Sequence, residues 1–174
     1  MKIYCDNIIK KFNSGLGILP TSIIVKINPH KPPVSLELFY DMIKVEGCID
    51  LIIVGPINEE SKQGLSWLTP KLISEGYFIS YFTDINERLP NIIFTQYIFD
   101  AQYDSLRRRN DLKGLGNKAI IILREDNLSR LMAARQTLLK TEVNSKIMFD
   151  KGLLDEQILI DHKVYDLYPY VEIL

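Results

Sequence analysis

The residues able to do chemistry are few. The chain holds two histidines, His30 and His162, and two cysteines, Cys5 and Cys48. A hydrolytic triad needs a nucleophile and an oriented base. Neither histidine has a recognisable partner in sequence, and no G-x-S-x-G elbow is present, so both read as surface or turn residues. The cysteines make neither a metal-ligand spacing nor a redox pair, and they read as small buried hydrophobes. There is no P-loop and no G-x-G-x-x-G. The segment Asn13-Ser14-Gly15-Leu16-Gly17 is glycine-containing, but it precedes a strand, whereas a phosphate loop follows one. Glu59 and Glu60 stand where ligands would, and also where a helix N-terminus collects acids. Arg107, Arg108 and Arg109 suit a phosphate or an acidic partner, or a solvated face.

These groups must be positioned by a framework, and Cys48 to Thr83 supplies its centre. The run CIDLIIVGP reads as a parallel strand over Ile49 to Val54, covered on both faces. A helix follows, with an apolar stripe of Leu65, Leu68, Leu72 and Ile73; Asn58 is its expected cap and Pro70 its expected kink or break. YFISYFT closes the βαβ unit as a second strand. Before this unit, Met1 to Cys5 reads as a short edge strand, Asp6 to Pro20 as a loop and Thr21 to Ile27 as the first core strand. Asn28 to Pro33 is a proline-rich loop that leads into a helix over Ser35 to Val45, capped by Ser35. After the unit, strands are expected at Asn91 to Phe99 and Ala119 to Leu123. Lys113 to Lys118 reads as a glycine turn between them. A helix should run from Asp126 or Asn127 to about Leu139. The tail reads as short strands, IMF, QILIDH and YVEIL.

The pattern predicts an α/β fold: one domain over 1–174, a mostly parallel sheet with flanking helices, and a strand-rich C-terminal extension from about residue 141. Ligands in such sheets sit at the carboxyl ends of the strands. That directs attention to 28–33, 55–60, 83–87 and 100–104, with Asn58, Glu59, Asp84 and Asp100 as candidate polar groups. The charge is balanced, 21 basic against 22 acidic residues, so nucleic acid is not indicated. No apolar run approaches the roughly 18 residues of a membrane span. No signal pattern opens the chain, so a cytoplasmic location is the default expectation.

Taken in order, the pieces resemble the activating protein of anaerobic ribonucleotide reductase, a short radical S-adenosylmethionine enzyme. NSGLG and TSIIVKI stand where that family has a glycine-containing segment and its first strand. IIVGPINEE stands at its Gly-Gly-Glu-Pro type turn, and YFISYFTD at a strand closing in Tyr-Thr-Gly. NIIFTQYIFDAQYDSL and KGLGNK stand at its later strand and turn. The resemblance spans about residues 12 to 123. It implies a partial (βα) barrel and carries over Gly55, Thr83, Asp100, Gly114 and Asn117 as ligand-binding positions. The family also holds a [4Fe–4S] cluster through C-x3-C-x2-C after the first core strand, where thiolates are required. Here that place reads NPHKPPVS, and no cysteine lies between residues 6 and 47.

The expectation is therefore a cluster-less relative that acts as a binding or regulatory protein, without a metal or resident cofactor. One alternative is an atypical activating enzyme of a glycyl-radical reductase that uses S-adenosylmethionine. Another is a structural subunit that docks on a protein partner through its C-terminal strands. A protein partner or a homo-oligomer fits these readings; a membrane does not.

Overall fold

The βαβ unit expected at the centre of the chain is present in a computed structural model that describes residues 1–12, 15–106, 112–140 and 145–170, with residues 113 and 116 described by backbone alone. The protein is α/β, with mostly parallel β-structure and flanking helices. Its contacts divide it into two compact units. The first comprises residues 1–83 and 87–97, the second residues 84–86 and 98–174.

In the first unit the strands are β1 (Lys2–Tyr4), β2 (Ile9–Phe12), β3 (Thr21–Lys26), β4 (Pro33–Ser35), β5 (Asp50–Val54) and β6 (Phe78–Asp84, whose last residue belongs to the second unit). The helices are α1 (Leu36–Val45) and α2 (Glu59–Ser74). The main sheet runs β2-β3-β5-β6. β3, β5 and β6 are parallel, with Ile24 opposite Ile52 and Ile52 opposite Ser80. All five residues of β5 are buried, as a strand covered on both faces requires. Alternation sends Ile23, Val25, Leu51, Ile53, Ile79 and Tyr81 into one core with Leu36, Phe39 and Ile43 of α1 and Leu65, Leu68 and Leu72 of α2. The other face carries Asp50, Ile52 and Ser80. β1 pairs with β4 in a separate two-stranded sheet. Ile3 packs so close to α2 that a Cβ on Gly64 would come within 2.8 Å of it.

The second unit contains β7 (Gln96–Ala101, whose first two residues belong to the first unit), a short α3 (Tyr103–Leu106) and a 3-10 segment, Leu112–Lys118. It continues with β8 (Ala119–Leu123), α4 (Leu128–Lys140), β9 (Lys146–Asp150), α5 (Glu156–Asp161) and β10 (Tyr168–Tyr170). The order is β7-β8-β9-β10; β8, β9 and β10 are parallel. β8 is buried throughout.

Several expectations need correction. Asp6 to Pro20 is not wholly loop, because Ile9–Phe12 is an antiparallel strand on β3. The strand expected at Asn91 to Phe99 is shifted to Gln96–Ala101. Ile92 and Phe94 are buried without being strand; their apolarity serves the core rather than the ladder. QILIDH forms helix α5, because the Asp155 side chain accepts the Gln157 amide and nucleates it. Pro70 does not divide α2, which is continuous over sixteen residues. Ser35 caps α1 as expected, accepting the Leu38 amide at 3.2 Å. Asn58 occupies the N-cap position of α2 but makes no side-chain capping bond. Asn127 caps α4 through the Arg130 amide, 2.9 Å. The arginine run at 107–109 and the YVEIL residues 171–174 lie outside the described residues.

Candidate functional site

The carboxyl ends of the second unit's strands carry a row of charged and aromatic side chains. β7 ends with Asp100 and Ala101; Arg124 directly follows the buried β8; β9 ends in Asp150 and β10 in Tyr170. The β9–β10 register places Asp150 opposite Tyr170. The β8–β9 register, one step past Leu123 and Phe149, places Arg124 beside Asp150.

Arg124 ties this row together. Its Nε donates to Asp100 Oδ1 at 2.8 Å, and its Nη1 donates to Asp150 Oδ2 on the other side. The guanidinium also lies 4.9 Å from the centre of the Tyr170 ring, a cation–π contact. Asp150 is held further by the Gly152 amide on its Oδ1, 2.8 Å. The Arg124 side chain is 18% exposed and that of Asp150 9%. Such a buried pair gains stability only when the remaining lone pairs and protons are satisfied. Two carboxylates raise the Arg124 pKa above its ordinary value, despite burial that acts the other way. Burial pushes the Asp100 carboxyl up; Arg124 opposes this, while Asp84 and Asp150 add to it by repulsion. Asp84 accepts the Asn86 amide through Oδ1 at 2.8 Å.

Among the described residues, Arg124 Nη2 and Asp100 Oδ2 have no hydrogen-bond partner. The row thus offers a donor and an acceptor on two side chains that are themselves joined by an ion pair. An arginine set between carboxylates is well placed for a zwitterion: a carboxylate on Nη2, an ammonium on Asp100 and Asp84.

The sequence-predicted residues fall into three groups. Asp84 and Asp100 belong to this row. Gly55, Asn58, Glu59 and Thr83 lie in the first unit, at the ends of β5 and β6 and the start of α2. There the Gly55 amide donates to the Phe82 carbonyl at 2.8 Å. A Cβ on Gly55 would meet the Tyr81 hydroxyl at 2.4 Å, so glycine here follows from the close approach of a buried ring stacked 4.8 Å from Phe94. Burial raises the Tyr81 pKa, while the Ile57 amide favours its ionised form. Thr83 Oγ1 and Asn58 Oδ1 are buried with no partner among the described residues. Asn58 Nδ2 donates to Glu60 Oε2. Glu59 is exposed, 3.9 Å from Lys62. Gly114 and Asn117, the third group, are exposed on the 3-10 segment.

Sequence reasoning missed Arg124, Asp150 and Tyr170. The first two had a usable signal: each is the first polar residue after a strand-like apolar run, AIIIL and IMF. Tyr170 had none.

The cluster of the resembling family does not fit the residues present. Cys5 bridges to Ile27 at the carboxyl end of β3. Cys48 Sγ lies 3.0 Å from the Thr21 carbonyl at the amino end. Six extended residue steps lead from Thr21 to Ile27, about 20 Å, so the two thiols cannot share one cluster. Burial and Asp6 also push the Cys5 thiol up, away from the thiolate that iron requires. Among the described residues, no three His, Cys, Asp or Glu side chains are grouped to share a metal ion. No helix is long and apolar enough to cross a membrane.

Comparison with protein-family models, with curated proteins and with solved structures returned no match.

Proposed function

We propose that this chain is a ligand-binding protein, a cluster-less relative of the short radical S-adenosylmethionine activating proteins. Its ligand carries an amino-acid head group. One observation supports this most: the row Asp100–Arg124–Asp150 lies at the strand ends, where parallel α/β sheets receive ligands, and pairs an unused donor with an unused acceptor. S-adenosylmethionine carries both a carboxylate and an ammonium. The separated cysteines argue for binding without the reductive chemistry of the family.

The test is calorimetric titration with S-adenosylmethionine, S-adenosylhomocysteine and methionine. At least one should bind saturably, and Asp100→Asn should weaken it at least tenfold while leaving the melting temperature within a few degrees. Silence from all three, or an unaltered Kd in the variant, refutes the reading. Iron and sulfide assays on anaerobically purified protein complete it: about four irons per chain would restore the activase alternative.

A further inference from the structure

Helix α1 has two apolar faces, and the fold uses one. Leu36, Phe39 and Ile43 enter the core. Leu38, Met42 and Val45, spaced four and three apart, form a second stripe on the outside. Leu38 is 53% and Val45 84% exposed. Single exposed aliphatics are ordinary, but these three share one helical face and line a groove of about 400 Å³ with Ile8. On the other side of Asp41 a second groove, about 200 Å³, runs between α1 and α2 against Tyr40 and Trp67.

Charge decides what can cover this face. Glu37, Asp41 and Glu46 border the stripe, and none has an ion-pair partner among the described residues. Like charges one turn apart, as in Glu37 and Asp41, destabilise a helix by a few tenths of a kcal/mol. The basic groups around them pair with none of the three carboxylates: Lys44 pairs with Glu75 at 2.7 Å, Lys10 donates to the backbone carbonyl of Glu46 at 3.0 Å, and Lys71 lies over the Tyr40 and Trp67 rings at 4.5 and 5.2 Å. A second copy of the chain would set these acids against themselves. Nucleic acid and an anionic membrane surface would be repelled.

We propose that the outer face of α1 docks an amphipathic helix of a partner protein, one that flanks its apolar stripe with lysine or arginine. The apolar anchors would enter the Leu38–Met42–Val45 groove, and the basic flank would meet Glu37, Asp41 and Glu46.

Trp67 is the chain's one tryptophan and half exposed beside the site, so its emission reports occupancy. The intact protein is titrated with a helical Leu/Lys peptide of about five turns, with a Leu/Glu peptide as control. The basic peptide should shift Trp67 emission saturably and lose affinity as salt rises; the acidic one should not. Two variants, Leu38→Ser/Val45→Ser and Glu37→Gln/Asp41→Asn/Glu46→Gln, should each bind at least tenfold more weakly with an unchanged melting temperature. No saturable response, or wild-type affinity in either variant, overturns the proposal. So would a response to anionic vesicles that matches the peptide's, or a dimer in sedimentation that Val45→Ser dissolves.

Discussion

Asp50 and Asp150 are both buried strand carboxylates, and the two units treat them in opposite ways. Asp50 opens β5 at its amino end and is fully buried. The Leu19 amide donates to its Oδ2 at 2.9 Å, the Ile18 amide also favours its ionised form, and Oδ1 has no hydrogen-bond partner among the described residues. Asp150 closes β9 at its carboxyl end, where it receives both a guanidinium and an amide. The first carboxylate fastens a loop and carries no counter-charge. The second belongs to a charged row that reaches solvent. Burial alone therefore does not distinguish the two acids; the counter-charge and the place at the carboxyl ends of the strands do.

The sharpest way to test that contrast is to add a carboxylate with neither kind of support. Ile52 is the centre of β5 and fully buried. Ile52→Asp has no facing cation and no loop amide, and an unpaired buried carboxylate costs several kcal/mol, comparable with the stability of a whole domain. Aggregation or loss of the folded circular dichroism spectrum is expected; a soluble variant with an unchanged melting temperature would show that β5 is not core.

The next largest effect is removal of the counter-charge. Arg124→Met leaves Asp100 and Asp150 facing each other. Breaking a buried pair from one side costs about 3–5 kcal/mol; the 30% exposure of Asp100 reduces this to about 2–4 kcal/mol. At 2–4 °C per kcal/mol, the melting temperature should fall by roughly 10 °C. Adding Asp150→Asn should recover part of the loss, because it removes one stranded charge. A double variant less stable than the single one would mean that Asp150 is held by its amide rather than by Arg124.

Legibility from sequence followed the same division. β3, β5, β6 and β8 were readable because continuous apolar runs bounded by turn residues admit few other fates. The parallel α/β class followed from their alternation with helical stripes. β2 was not readable: Ile9–Phe12 is exposed throughout, and an edge strand carries no burial pattern. QILIDH was misread because a short apolar run fits a strand or a helix equally, and Asp155 before it was not weighed as a cap. Of the site, Asp84 and Asp100 were found as polar residues at strand ends. Arg124 was not, since its role depends on which strands become neighbours. Gly55 was marked as a ligand-binding position; the close approach of the Tyr81 ring gives it a packing reason as well.

The glycine at 17 tests the loop side of the comparison. A Cβ there would lie within 2.5 Å of the Asp50 carboxyl oxygens, in space the fold has already filled. Gly17→Ala should cost about 1–3 kcal/mol, the usual range for overpacking, by displacing the Leu19 amide from Asp50. A melting temperature equal to wild type would show that the 15–20 loop moves aside freely and that Asp50 does not hold it.

The smallest effect should come from Asp50→Asn, and its sign depends on pH. Burial, the largest influence, raises the Asp50 pKa; the Leu19 and Ile18 amides only partly counter it. Unfolded, the group titrates near the ordinary value of about 3.9. Between that value and the raised one, the folded protein binds more protons at this site than the unfolded chain, so stability falls as pH rises through the window. The favourable contribution of the protonated acid is complete below the unfolded value and is lost above the folded one. Asparagine keeps an oxygen for the Leu19 amide and cannot titrate. Near pH 3.5 the variant should match wild type within about 1 kcal/mol, the worth of one neutral hydrogen bond. As pH rises to 7, the difference in melting temperature between variant and wild type should move in favour of asparagine. Other acids titrate equally in both proteins and cancel in that difference. A difference that stays constant, or one that moves in favour of aspartate, would mean that Asp50 is ionised in the fold and held by a charge or donor beyond the Leu19 and Ile18 amides, which would bring it close to Asp150 in kind.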